Sequence, residues 1–422
     1  KDSNNIFLIS LLGTFYGLNG DYDEAIKFQK AAVEKAPFEI TFYINLSETL
    51  RKVNRFDESL LMLYFAKILS LRDISIDHLI AKIQTNLKNY SKADLIYNYL
   101  IKEENISDQI LYSYCDNLIK FKKEKEAIVF LKKQELKNKK DHQIQILIGL
   151  AYFKQKEFAL AKTFFSKAIS LNIDNEESYT MLGDCHEKLG NLSEAKKYYD
   201  KSLEINPNNS FTINNIAAWN FFNGNADEAL KLFNLSVTKN KYNHDTKYYL
   251  SQCQLSQSNY LEGWLNFEYR WLSNGFNSSK LNSNLPKFKF NTGKKNLLIW
   301  GEQGLGDQVL FIRFLEDIMF HVDNLFLKID NRLQPIISRS YPKIKYFNKN
   351  IDVNLDSQLA LGDLGSFFLK DNSYFSSRNN TYLTSDSKIT NDLKNSLKTK
   401  DKLVCGLSWT STNEEIGTNK SI

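Results

Sequence analysis

The sequence predicts an α-solenoid of helix pairs followed by an α/β unit built on parallel strands. Three observations predict it. Small and apolar residues recur every 34 residues through the first two-thirds of the chain. Only 5 prolines and 17 glycines occur in 422 residues, which favours long runs of helix. Beyond residue 295 the pattern changes to short apolar runs alternating with amphipathic stretches, as βαβ chains show.

The repeat is read on small residues that follow an apolar one. These are Gly13, Ser47, Ala81, Cys115, Gly149, Gly183, Ala217 and Ser251, each 34 residues after the last. Twelve residues after each sits a second small residue: Ala25, Ser59, Ala93, Ala127, Ala161, Ala195, Ala229 and Gly263. Four residues later a large apolar side chain recurs, as at Leu63, Tyr97, Leu131, Phe165, Tyr199, Phe233 and Phe267. Small residues suit the close crossing of two helices, and large ones suit the groove to the next pair. Pro37 and Pro207 share one repeat position and close their units. Leu18-Asn19-Gly20-Asp21 and Leu189-Gly190-Asn191 read as turns between the helices of a pair. The pattern resembles the tetratricopeptide repeat, a helix pair of period 34. Eight units run from Ile6 to about Asn277.

Composition narrows the function classes. The net charge is +6, of which +5 falls in residues 278–422, with 20 Lys and Arg against 15 Asp and Glu. That balance favours an anionic ligand in the C-terminal third but lacks the dense basic face of a nucleic-acid binder. Cys115, Cys185, Cys253 and Cys405 form no C-x-x-C pair and read as reduced core residues of a cytoplasmic protein. The histidines, His78, His142, His186, His244 and His321, show no metal-ligand spacing, so no metal is expected. No apolar run reaches the ~18 residues of a membrane span. The first residue is Lys1 rather than Met, as expected of a fragment end.

The array has no catalytic constellation. Its concave face is expected to hold a protein or peptide partner, with Asn45, Asn86, Asn214, Asn215 and Asn220 placed to bind backbone through side-chain amides. Asparagine is abundant throughout the chain, which is the plainer explanation of those residues. The last unit ends in Trp264, Phe267, Tyr269 and Trp271 with Glu268 and Arg270 among them. An end unit facing water should be polar, so the following domain is expected to cover it.

Residues 278–295, within a Ser-, Asn- and Lys-rich stretch around Pro286, read as an extended linker. Strands are expected at residues 296–300, 325–329, 343–347, 357–361 and 403–409, with helices at 307–320 and near 333–340. The divisions are thus 1–277 for the repeats, 278–295 for the linker, 296–400 for a first α/β domain and 401–422 for the start of a second.

The stretch most suggestive of a ligand is Gly301-Glu302-Gln303-Gly304-Leu305-Gly306-Asp307, between the first strand and its helix. It matches neither the dinucleotide fingerprint nor the phosphate-binding loop ending in Gly-Lys-Ser/Thr. Its three glycines predict positive φ or close approach to a ligand. Asp307 reads as the helix N-cap or as a carboxylate at a strand tip that takes a proton from an acceptor hydroxyl. Glu302 reads as solvated or as a hydrogen-bond partner for a sugar.

The string WGEQGLGDQVLFIRFL, after repeats ending in GWLNFEYRW and before GLSWTSTNEEIGTNKSI, resembles bacterial tetratricopeptide-repeat proteins with a heptosyltransferase-like glycosyltransferase domain. The resemblance implies a Rossmann-like pair of domains, the GT-B fold, with acceptor in the first half and nucleotide-sugar in the second. It implies that Asp307 is the catalytic base, and that Thr410, Ser411, Thr412 and Lys420 hold the donor phosphates. The family pattern Lys/Arg-Arg-Ser-Ile stands here as Asn419-Lys420-Ser421-Ile422. On this reading the donor half is only begun at Ile422, so the chain is expected to be inactive without the remainder. The expected reaction is inverting sugar transfer without metal or cofactor. The alternative is a binding scaffold whose α/β part is structural.

Overall fold

The computed structural model describes residues 5–103, 106–273, 275–276, 278–290, 296–347, 354–376 and 381–396. Two compact units divide the chain, Lys1–Cys253 and Gln254–Ile422.

The helix starts reproduce the sequence period. First helices of the pairs begin at Ile6, Ile40, Ile74, Asp108, His142, Glu176, Ser210 and His244, steps of 34 residues. Second helices begin at Tyr22, Phe56, Tyr90, Glu124, Phe158, Leu192, Ala226 and Tyr260, again 34 apart. The division after Cys253 assigns the last of these to the second unit.

The predicted small residues are all buried. A Cβ added at Gly183 would lie 2.6 Å from the Tyr199 ring, and one at Gly149 would lie 2.8 Å from the Phe165 ring. In the second pair both small positions are serines, and their hydroxyls meet at 2.8 Å, with Ser59 also within 2.8 Å of the Ser47 carbonyl. Close crossing therefore survives polar side chains when each satisfies the other.

Two local features share the 34-residue period. Gly20, Asn54, Lys88, Lys122, Lys156, Gly190, Gly224 and Ser258 all have φ between 62° and 86° and end a first helix. At Lys122 the chain forms a Schellman closure: Lys122 N–H donates to Ile119 O at 3.2 Å and Lys123 N–H to Leu118 O at 2.8 Å. The residue before each first helix is the second feature. Asn5, Asp73, Asp141, Asn175, Asn209 and Asn243 accept backbone N–H bonds through their side chains there. Asn5, Asn175, Asn209 and Asn243 thus serve as helix caps.

In the second unit, four strands form a parallel sheet in the order β3-β2-β1-β4, with β1 Asn296–Trp300, β2 Asn324–Lys328, β3 Lys345–Tyr346 and β4 Ser357–Ala360. The central strand β1 is buried from Leu297 to Trp300, hence its unbroken apolar run. The helix expected over 307–320 is instead two, Leu305–Ile312 and Leu315–Met319. Between them the ladder tightens, with Phe314 N–H bonding Phe311 O. The predicted linker is partly integrated. Phe288 N–H donates to Gln358 O and Gln358 N–H to Pro286 O, both at 2.9 Å, so this segment pairs with the free edge of β4. The predicted strand at 403–409 lies outside the described residues.

A turn residue with positive φ but a side chain carries a strain that glycine relieves. Lys88→Gly and Lys122→Gly are each expected to raise stability by about 0.5–1 kcal/mol, read as the shift of the urea midpoint. Gly183→Ala, which crowds Tyr199, should move the midpoint the other way. A stabilising Gly183→Ala would refute the close-crossing account.

Candidate functional site

The carboxyl ends of β1 and β4 are where a ligand is expected in an open parallel sheet, because the strand order reverses between them. The glycine-rich turn leaves β1 there, and the turn Leu361–Asp363 leaves β4.

The glycines of the turn meet protein. Gly301 N–H donates to Lys328 O at 2.8 Å, and a Cβ on Gly301 would lie 2.7 Å from Gln308 Oε1. Gln308 is buried, and its Oε1 accepts from Asp330 N–H at 3.0 Å, joining this turn to the end of β2. None of the three has the positive φ expected of it. That conformation falls on Gln303, at φ 62°, whose N–H donates to Ser278 Oγ at 2.7 Å. Gly304, not Asp307, is the N-cap of the helix Leu305–Ile312. Gly306 faces open space.

Asp307 is exposed in the first turn of that helix, and its Oδ2 accepts from Gly304 N–H at 3.2 Å. It therefore performs helix capping from inside the helix rather than from the cap position. The carboxylate also favours the positive end of the helix dipole.

Glu302 points inward. Its carboxylate takes both arms of the Arg270 guanidinium, Nε to Oε1 at 3.1 Å and Nη2 to Oε2 at 3.2 Å. Arg270 is wholly buried and Glu302 is 3% exposed. Arg270 Nη2 also donates to Asp363 Oδ1, and Nη1 donates to Phe267 O at 3.2 Å. The Phe267 and Trp271 rings lie 4.3 and 4.4 Å from the guanidinium carbon. Lys287 sits 3.0 Å from the second Asp363 oxygen and 2.9 Å from Glu268. Burial pushes the Glu302 carboxyl up to about 7, against the opposing pull of Arg270. Asp363 and Glu268 hold the Lys287 ammonium above its usual range despite burial. A Cβ on Gly362 would collide with Glu302, so this glycine admits the carboxylate.

The crevice between the turns after β1 and β4 thus holds a guanidinium from the 3-10 turn Glu268–Leu272. The aromatic end of the last helix pair is covered by the same unit. Trp264 Nε1–H donates to Leu369 O at 3.0 Å, and a Cβ on Gly365 would collide with its ring. The cluster combines residues far apart in sequence, and the presence of Arg270 among the aromatics of the last unit did not disclose its partners Glu302 and Asp363.

Of the candidate site, the structure brings Gly301, Glu302, Gln303, Gly304, Gly306 and Asp307 into one turn. Thr410, Ser411, Thr412 and Lys420, like Cys405, lie outside the described residues. Among the described residues no group of three or more His, Cys, Asp or Glu side chains could hold a metal. Cys115, Cys185 and Cys253 are buried and outside any disulfide, and burial raises each thiol. No described helix is long and apolar enough to cross a membrane.

The first helices of the array carry the other polar surface. Glu48, Lys82, Asp116 and Asp184 occupy one repeat position, with Leu150 between the last two. Arg51 chelates Glu48 at 2.5 and 2.8 Å. Lys82 is held below its usual range by burial and by Arg51. Asp184 accepts from Tyr199 OH at 2.6 Å and from Asn215 Nδ2 at 2.9 and 3.1 Å, and burial raises its carboxyl to about 7. Of the predicted backbone-binding asparagines, Asn215 is occupied by Asp184 and Asn220 bonds Ile216 O at 2.9 Å. Asn214 Oδ1 is buried without a partner.

Family models described as tetratricopeptide repeat match residues 9–37, 142–175 and 176–209, so these stretches are tetratricopeptide repeats. Protein FlbA of Caulobacter vibrioides is 33% identical over 95 residues, which cover 20% of this chain and 15% of FlbA. A tetratricopeptide repeat protein of Parabacteroides merdae superposes with TM-score 0.48 at 17% identity, over 59% of this chain and 98% of that one. YrrB, described as a tetratricopeptide-repeat protein with an unusual peptide-binding site, gives TM-score 0.29 at 17% identity, over 44% of this chain and 95% of its own.

The cluster dictates one outcome. Arg270→Ala leaves the buried Glu302 carboxylate without its cation and Asp363 with Lys287 alone, and is expected to destabilise the second unit by about 3–5 kcal/mol. Arg270→Met with Glu302→Met should recover part of that loss, because it removes the stranded charge as well as the pair. Urea unfolding followed by tryptophan fluorescence checks both. Equal stability of Arg270→Ala and the native protein would refute the assignment.

Proposed function

We propose that the chain is a protein-binding scaffold. Its tetratricopeptide repeats bind an extended segment of a partner protein along their first helices, and the α/β unit has a structural role. The observation that carries this is the polar row on the first helices: Glu48, Lys82, Asp116 and Asp184 recur at one repeat position, neighboured by Arg51 and Glu187. An extended polypeptide presents amide groups and side chains at regular intervals, which suits such a row. The repeats matched by the family models support the reading.

Peptide display against the whole chain tests it. Selected peptides should protect amides of the first helices in hydrogen exchange, and Lys82→Ala or Glu48→Ala should weaken them about tenfold. Protection confined to the second helices would overturn the reading.

A second reading is inverting sugar transfer from a nucleotide-sugar. It is favoured by one observation, that Asp307 stands exposed on the carboxyl side of a parallel sheet. There Asp307 would remove the acceptor proton, while Thr410, Ser411, Thr412 and Lys420 would hold the donor phosphates, without metal or cofactor. In the complete protein, Asp307→Asn should lower turnover of a sugar nucleotide about 10²–10⁴-fold. Unchanged turnover would exclude the role.

A further inference from the structure

In a solenoid each unit ordinarily touches only its neighbours. Among its described residues the first compact unit departs from this where its seventh and eighth pairs meet. Lys241 and Tyr242, between the seventh and eighth helix pairs, reach back to the first and second. Lys241 Nζ lies 3.0 Å from Asp23 Oδ2. Tyr242 OH is 3.4 Å from Asp23 Oδ1, and Asn54 Nδ2 donates to Tyr242 O at 2.7 Å. The Tyr242 and Tyr22 rings are 5.6 Å apart, and Tyr242 packs on the cluster of Ile26, Leu46, Leu50 and Val53. These contacts span 188 to 219 residues of sequence.

Asn54 is also the positive-φ residue of its turn, so one residue both ends a helix and fastens the return contact. First helices two pairs apart come within electrostatic reach of each other, as they would on the inner side of a curved array. The carboxyl of Glu177, in the sixth pair, is raised by burial and feels Asp116 in the fourth. Closing the curve therefore restricts access to that inner face.

We propose that Lys241 and Tyr242 form a clasp that shuts the repeat array into a closed turn and opens to admit a partner chain to the inner face. The partner's part in this rests on the scaffold reading above; the clasp itself does not. The fastening is small and polar at its rim. The Lys241 and Asp23 side chains are 57% and 78% exposed, so salt screens their attraction. The aromatic contact and the Asn54 bond then hold alone. The packing between helix pairs recurs along the array, whereas this contact rests on the few groups named above, so the array opens here before any pair separates.

Small-angle scattering of the whole chain tests the clasp without any partner. The radius of gyration should increase from about 20 mM to about 500 mM salt, where the Debye length falls severalfold. Asp23→Lys and Lys241→Glu should each give the larger radius already at low salt, and the exchanged pair Asp23→Lys with Lys241→Glu should restore the compact form. Tyr242→Ala should be open at both salt concentrations, with an unchanged helical circular dichroism signal showing that the pairs remain folded. Faster amide exchange at residues 240–243 and at Tyr22 should accompany opening. A radius that is the same for native protein and Tyr242→Ala, or single reversals that leave it unchanged, would overturn the proposal. If the clasp opens as stated but display peptides still protect only second helices, the scaffold reading fails and the clasp stands.

Discussion

The close crossing of the two helices in each pair is the constraint on which the array depends. It needs a small residue on each helix and a large one to fill the adjacent groove. Where the first helix offers no Cβ, as at Gly149 and Gly183, the aromatic rings of Phe165 and Tyr199 occupy the vacated space. Where both positions are serine, the hydroxyls satisfy each other. Because the crossing fixes how far each helix may run before it must turn, the turn falls at the same residue in every pair. The left-handed conformation is therefore imposed by register rather than chosen by sequence. That explains why lysine, asparagine and serine occupy positions where isolated turns favour glycine.

The same logic accounts for the glycine-rich string of the second unit. A sequence that lets backbone come close does not state what approaches it. In this fold the nearby groups are the Gln308 amide at Gly301 and the Glu302 carboxylate at Gly362. Both act within the protein: Gln308 joins the ends of β1 and β2, and Glu302 receives Arg270. The crevice that an open parallel sheet offers to a ligand is here supplied with a charge from the chain's own 3-10 turn. A guanidinium between two carboxylates, covered by Phe267 and Trp271, is a costly arrangement unless every hydrogen bond is made. Four donor bonds are made, two to Glu302 and one each to Asp363 and the Phe267 carbonyl.

The repeats were legible because their signal is periodic, and an error at one unit is corrected by the next. The first, second and fourth strands were legible because buried parallel strands are continuous apolar runs. The 34-residue recurrence of Asn and Asp caps was present in the sequence but hidden by the abundance of asparagine, since a cap is recognised only once a helix start is fixed. The Arg270 cluster was not legible. Arg270, Glu302 and Asp363 are separated by 32 and 61 residues, and no local pattern announces a pairing made across a fold. Nor did the glycine string reveal that its strained residue would be Gln303.

These differences decide how Glu302 and Asp307 may be weighed. They are five residues apart in one turn, yet the fold treats them oppositely. Glu302 is inside, its oxygens committed to Arg270 and to the Gly362 N–H. Its carboxylate is buried on Arg270 rather than presented to solvent. Asp307 is outside, its Oδ2 accepting from the Gly304 N–H. A base must meet its proton donor at hydrogen-bond distance in the bound complex. Of the two carboxylates, Asp307 is the one exposed to solvent. Asp307 is thus the carboxylate of this turn that faces the open side, with the Arg270–Glu302 pair holding the backbone behind it.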